Sequence, residues 1–449
     1  MRIFLITCAV CVLTNISRGA ETNALPWGEQ PLSLKDAINV ALENNYSIRK
    51  GRHDVEAAHG IAVQTRAIAL PRLRANGDYL NTDQTEDLQL PPGFPSISFE
   101  NGERWAASLR LIQSIYEGGR ITSGWRAARL TREHALLQYQ AVIAEALLQV
   151  RTAYYDVLLG GQLINVQEAS VVLLEKELQD TRRRYEAGTV PQFNVLRAEV
   201  ELANARPRLI RARNNYRIAK NTLLHQLGYQ IPTNIWENIP LELSDRLEAE
   251  PFETDLPSAL ALAVERRPEI GALQKADRLR QEDIATAKAG YKPSVQLFAG
   301  YGSRSSQFSD DLSRDVSGWH AGAQLNWDIF DGWLTKGKVQ QARAVRERAR
   351  TEVEDTTRQI EFETRSAYSA FVEAREVLES QRKVQEQAEE SLRLANSRAE
   401  AGSGTQLDVL NAQTALTEAR TTQIQALRDY LVARARLMRA IGADTPVQK

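Results

Sequence analysis

The chain is written twice, and this repetition constrains its fold more than any other feature. Ala37, Ile38, Ala41, Leu42, Glu43 and Ile48 are answered 222 positions later by Ala259, Leu260, Ala263, Val264, Glu265 and Ile270. Pro71 with Pro293 and Tyr79 with Tyr301 keep the same offset. Further on the offset becomes 214: Gly118 is matched by Gly332, Gly188 by Gly402, Leu196 by Leu410, Arg206 by Arg420 and Gly228 by Gly442. One gap of 8 residues (222 less 214) reconciles the two blocks. Two copies of one pattern imply one structural unit used twice. The expected organisation is a signal at 1–20, a first repeat at 21–228, an inter-repeat segment at 229–255, a second repeat at 256–442 and a tail at 443–449.

Each half holds two segments with a period of two. Leu73, Ala75, Gly77 and Tyr79 oppose Arg72, Arg74, Asn76 and Asp78; Trp105, Ala107, Leu109, Leu111 and Ile115 oppose Ser108, Arg110 and Ser114. In the second half Val295, Leu297, Ala299 and Tyr301 oppose Ser294, Gln296 and Gly300, and Trp319 through Ile329 alternate with His320, Gln324, Asn326 and Asp328. Such alternation gives a strand one apolar and one polar face. In a soluble sheet the apolar face packs a core; in a membrane barrel it meets lipid and the polar face lines water. The segments have the length of tilted membrane strands. Tyr79, Trp105, Tyr301 and Trp319 lie toward segment ends, where interfacial girdles occur.

The remainder has helical periodicity. Pro71 and Pro293 end a helix before a strand in each half. From 120 to 187 no proline occurs, and Leu136, Ile143, Val150, Val157, Ile164, Val171, Leu178 and Tyr185 recur every 7 residues, a coiled-coil seam. That helix would span about 100 Å. Segments 34–69 and 189–227 are each roughly half as long, so stacked end to end they would match it. Pro207 predicts a kink or break within the second.

Arg2, the apolar stretch 3–16 and the small residues Ser17, Gly19 and Ala20 have the form of a cleaved secretory signal. An uncleaved anchor, or lipidation at Cys8 or Cys11, fits that form less well. Both cysteines lie in this stretch, so the mature chain has no disulfide and no thiolate site. No later apolar run suggests a membrane-spanning helix. The formal net charge of -1 provides no electrostatic case for nucleic acid. The five histidines are scattered and no catalytic motif occurs, so neither an enzyme nor a cofactor is expected.

The order helix, proline, strand, loop, strand, glycine turn, long helix, Ala-Gly turn, helix, then all of it again, resembles the TolC family of outer-membrane factors. Residues 32–45 are similar to that family's mature N-terminus, and 185–196 and 400–410 to its two helix-hairpin tips. The resemblance implies a mainly α chain with a β-barrel part. Three copies would form a homotrimer with a twelve-stranded outer-membrane barrel, continued by a periplasmic α-helical tunnel. Its implied partners are outer-membrane lipid, a periplasmic adaptor and, through the adaptor, an inner-membrane pump. Gly188, Thr189, Val190, Gly402, Ser403 and Gly404 become adaptor-contact residues, though a plain hairpin turn also explains the glycines. Asp408, Asn411, Asn194 and Tyr185 fall at the family's periplasmic entrance. Asn411 stands where the family has an acid, Gly404 where it has a basic link and Ala399 where it has an aromatic one, so its closed-state linkage is altered here. An ordinary helix-start residue equally explains Asp408. The implied function is small-molecule efflux; a type I protein-secretion duct and a coiled-coil envelope scaffold without a pore are the alternatives.

Overall fold

The computed structural model describes residues 31–82, 86–88, 97–99, 102–230, 239–305 and 315–443. The signal stretch 1–20, residues 231–238 of the inter-repeat segment and the tail beyond 443 lie outside the described residues. The first half runs α1 (Leu34–Asn44), α2 (Tyr46–Arg66), a 3-10 turn (Ala67–Ala69) and β1 (Arg72–Thr82). A small hairpin of β2 (Glu86–Leu88) and β3 (Ile97–Phe99) follows, then β4 (Gly102–Glu117), α3 (Arg120–Glu186) and α4 (Gln192–Gln226). The second half repeats the order with α5 (Leu256–Arg266), α6 (Pro268–Lys288), a 3-10 turn, β5 (Ser294–Ser305), β6 (Asp315–Asn326), α7 (Leu334–Glu400) and α8 (Gln406–Ala440). α3 and α7 are 67 residues each, and α4 and α8 are 35 each.

The repeat reaches individual backbone angles. Gly118 and Gly332 both have φ 64°, Gly188 and Gly402 have 78° and 72°, and Gly228 and Gly442 have 73° and 72°. Gly119 at φ 104° is answered by Trp333 at 71°, the one described non-glycine residue with positive φ.

Where 34–69 was expected to be one helix, the chain breaks at Asn45, and the break joins two helices. Asn45 Oδ1 accepts from the backbone N–H of Ser47 and Ile48, capping α2, and its Nδ2 donates 2.6 Å to the Gln226 carbonyl that ends α4. Helix ends leave orphan donors and acceptors, and one buried amide satisfies both sets here. α2 and α4 thus meet end to end beside α3. The 222-residue equivalent of Asn45 is Arg267, which instead pairs with Glu269 at 3.0 Å and Glu363 at 3.1 Å. Pro207 does not break α4, which continues through it. The one lost ladder bond is offset by packing around the proline: Leu202 and Ala205, in the turn before it, are buried with α3 residues Val171 and Leu178, and Leu209 just after it packs against the same cluster.

α3 is the centre of the helical layer and packs against α1, α2, α4, α6 and α8, while α7 packs against α5, α6 and α8. The seam residues Ile143, Val150, Val157, Val171 and Leu178 are buried. An 18-residue stretch of α3 is apolar enough to cross a membrane by composition, which the sequence reading missed. It lies within a helix packed on five others, and only 17% of the stretch is buried in the single chain. Between α1 and the inter-repeat segment the Tyr154 hydroxyl, with no exposed surface, stands 2.9 Å from both the Leu32 carbonyl and Asp245 Oδ2, which share its one proton. Asp245 also accepts from the Leu34 N–H at 2.8 Å, so it anchors the start of α1.

The four long strands form one antiparallel sheet in the order β1-β4-β5-β6. Its apolar face carries Leu73, Tyr79, Leu109, Leu111, Leu297, Tyr301, Trp319 and Leu325, all exposed in the single chain. Tyr79 pairs with Trp105, and Tyr301 with Trp319, whose rings meet edge-on at 5.2 Å. Two expectations are corrected. Ile115 is the extra residue of a bulge between Ser114 and Tyr116, so Tyr116, not Ile115, continues the register by pairing with Val295. β6 ends at Asn326, and Trp327 and Ile329 lie in the turn toward α7, where the Trp327 indole N–H donates to the Tyr291 carbonyl at 3.3 Å.

Candidate functional site

The end of the helical layer farthest from the sheet carries two helix-hairpin tips. Each closes through the same backbone device. In the first, the Thr189 N–H donates to the Arg184 carbonyl and the Gly188 N–H to that of Tyr185, both at 2.9 Å. In the second, the Ser403 N–H donates to Arg398 at 2.9 Å and the Gly402 N–H to Ala399 at 3.2 Å. This is the left-handed glycine cap, in which φ beyond zero lets orphan carbonyls be satisfied without a Cβ clash. A Cβ added to Gly188 or Gly402 would meet nothing within 4 Å. The glycines are therefore needed for backbone conformation and leave open surface around them.

The tips differ at the start of the second helix. Thr405 and Asp408 form a reciprocal capping box: the Thr405 N–H and hydroxyl donate to Asp408 Oδ2 at 2.9 and 2.7 Å, and the Asp408 N–H donates to Thr405 Oγ1 at 3.3 Å. These bonds hold the exposed Asp408 carboxyl below its ordinary range. In the first tip Pro191 occupies the cap position, has no side-chain cap bond, and leaves Asn194 as the counterpart of Asp408.

Ser403, Gly404, Asp408 and Asn411 come together in a groove of about 950 Å³ between α7 and α8, with Glu390 and Arg398 on its wall. Tyr185, Gly188, Thr189, Val190 and Asn194 lie on the first tip and do not line that groove. Gly404 is tighter than its neighbours, since a Cβ there would stand 3.0 Å from the Ala399 nitrogen and the Arg398 side chain.

Gln406 joins the two tips, which the sequence reading did not anticipate. Its Nε2 donates to Glu177 Oε1 at 2.8 Å and also contacts the Thr181 hydroxyl, both on α3. A signal was present: Gln192 is the 214-residue counterpart of Gln406, so both tips carry glutamine at the first helical position. Among the described residues no cluster of three or more histidine, cysteine or acidic groups could hold a metal ion.

A sheet greasy on one face and polar on the other, continued by helices of about 100 Å, defines a wall segment of an outer-membrane duct. The chain belongs to the family described as Outer membrane efflux protein, whose pattern matches residues 37–229 and 259–443. It lies in the outer membrane and extends into the periplasm, and the family consists of channels rather than enzymes. It is similar to Outer membrane protein TolC of Escherichia coli, with 25% identity over 431 residues covering 92% of this chain and 83% of that protein. Outer membrane protein OprJ of Pseudomonas aeruginosa is 26% identical over 440 residues, covering 95% and 87% respectively. Alkaline protease secretion protein AprF of the same species is 24% identical over 417 residues, covering 90% and 83%. Among solved structures, the Campylobacter jejuni CmeC outer membrane channel shares the fold at a TM-score of 0.79 and 16% identity, covering 95% of this chain and 92% of that one.

Proposed function

We propose that three copies of this chain form the exit duct of a tripartite efflux system, passing small molecules from a periplasmic adaptor and inner-membrane pump to the exterior. The observation that carries this reading is the open sheet. Among the described residues β1 and β6 have no outer partner, and four strands are too few to enclose a water-filled lumen. Unpaired edges inside a bilayer are untenable, so β6 of one copy would pair with β1 of the next. Twelve strands close the ring, an even number within the range of bacterial barrels. The helices also leave large apolar side chains bare: Ile61 and Val63 of α2, Phe193 and Val200 of α4, and Phe362 of α7 are all exposed.

In this reading the tips dock the adaptor through Gly188, Thr189 and Val190 in one hairpin and Gly402, Ser403 and Gly404 in the other. Asp408, Asn411, Asn194 and Tyr185 surround the periplasmic entrance. The similarity to AprF, at 24% identity, favours protein secretion as the second reading of the same duct. Purified protein in a planar bilayer tests the duct: a trimer should carry ion current, and an assembled trimer without current would leave a non-conducting scaffold. A strain lacking the chain should then show hypersensitivity to toxic small molecules; unchanged tolerance with a lost secreted protein would favour secretion instead.

A further inference from the structure

We propose that the water-facing side of the barrel sheet is an anion-selective lining, built from two layers of arginine at the periplasmic half of the strands. The inference rests on the duct reading, which turns this face toward the lumen.

On the polar face Arg74 of β1 stands directly across from Arg110 of β4, and the same layer continues through Gly300 of β5 to His320 of β6. The adjacent layer is Arg72, Ile112, Phe298 and Gly322. Like charges placed directly opposite in a sheet are destabilising unless something of opposite sign offsets them. Neither layer contains an acid. Asp78 sits two layers away, in the row of Ala106 and Arg304. Glu117, at the periplasmic end of this face, is buried and engaged with Arg120 and Gln296, each at 3.0 Å. The positive charge is therefore not neutralised within its own layers.

The layers are also built to hold their cations in place. The Arg110 guanidinium lies 4.4 Å from the centre of the Phe298 ring, an aromatic face instead of a carboxylate, and its Nε is buried without an acceptor. Phe298 occupies the space over Gly322, where an added Cβ would come within 2.9 Å of the ring. His320 likewise lies over Gly300, where a Cβ would be 2.8 Å from the imidazole. Two glycine notches thus seat two rings, and one ring supports the arginine. Closure by three chains would bring nine such arginines, three from each copy, around one lumen. A single-sign lining between low-dielectric walls raises the local concentration of the opposite ion. The solutes favoured are those with net negative charge, from chloride to small organic carboxylates. Screening confines the effect, because the Debye length is about 30 Å at 0.01 M salt but only about 10 Å at 0.1 M.

The experiment is the reversal potential of the trimer in a planar bilayer under a potassium chloride gradient. Wild type is compared with Arg74→Gln/Arg110→Gln and with Arg72→Gln. All keep the same tip entrance, so any contribution from Asp408 is common to them. Trimer assembly is checked by gel mobility without heating. At about 10 mM salt the double variant should lower the chloride-to-potassium permeability ratio by about twofold, and the difference should shrink as salt rises. Conducting variant trimers with the wild-type reversal potential overturn this inference alone. An assembled wild-type trimer that carries no current overturns the duct reading and this inference with it.

Discussion

The side-chain amide of Gln406, at the start of α8, donates to the Glu177 carboxylate of α3 at 2.8 Å, tying the tip of the second hairpin to the first. Two helical hairpins that could splay apart are held by a contact at their free end. Gln406→Ala removes it while leaving the Thr405–Asp408 cap in place. The expected result is a larger mean single-channel conductance at the periplasmic end, with trimer stability unchanged. Identical conductance in Gln406→Ala and wild type would show that this tie does not limit the entrance.

Gly188 and Gly228 share a left-handed backbone yet should respond very differently to substitution. A Cβ at Gly228 would stand 2.2 Å from the Asn44 carbonyl oxygen, where α4 meets the α1–α2 junction, whereas one at Gly188 meets open space. Gly228→Ala combines backbone strain with overpacking and should destabilise by roughly 2–5 kcal/mol. Gly188→Val should cost only about 1–2 kcal/mol in backbone strain. It should assemble into trimers but impair efflux through the altered tip. Thermal melting of both variants and drug tolerance of the Gly188→Val strain check these outcomes.

Asp408 should keep its charge to unusually low pH. Bonds from the Thr405 hydroxyl and N–H lower its pKa from the ordinary 3.8. A depressed carboxyl pKa means that its contribution is complete above the ordinary range and is lost as pH falls through the lowered value. Any cation attraction by Asp408 should therefore fade at lower pH than for an aspartate without these bonds. Thr405→Val should move the fading to higher pH, and Asp408→Asn should remove it. Reversal potentials measured across acidic pH distinguish the three proteins.

Tyr154→Phe tests the tie between α1 and the inter-repeat segment. The hydroxyl shares its one proton between the Leu32 carbonyl and Asp245 from a fully buried position, and burial holds it well above its ordinary pKa, so it remains a donor throughout the physiological range. Its loss should cost about 1–2 kcal/mol, because the Leu32 carbonyl retains the Ser244 N–H at 3.1 Å and Asp245 retains the Leu34 N–H. A melting temperature equal to wild type would show that the shared hydroxyl bond contributes nothing net.

The sequence by itself determined the strands, the long helices and the glycine turns, because each depends on local periodicity and backbone freedom. Leu73 through Tyr79 alternate whatever they pair with, the seam from Ile143 to Leu178 repeats along one helix, and Gly188 and Gly402 mark left-handed caps in any context. Tertiary structure alone decided what depends on partners distant in the chain. Asn45 ended a helix because it could also cap α4 at Gln226, a partner 181 residues away. Ile115 left the register because β5 opposed β4 with one residue fewer. Gln406 became a tie only when α8 was laid against α3. Arg74 and Arg110 became one charged layer only when antiparallel pairing placed them face to face, a relationship invisible along the chain because it is set by sheet register.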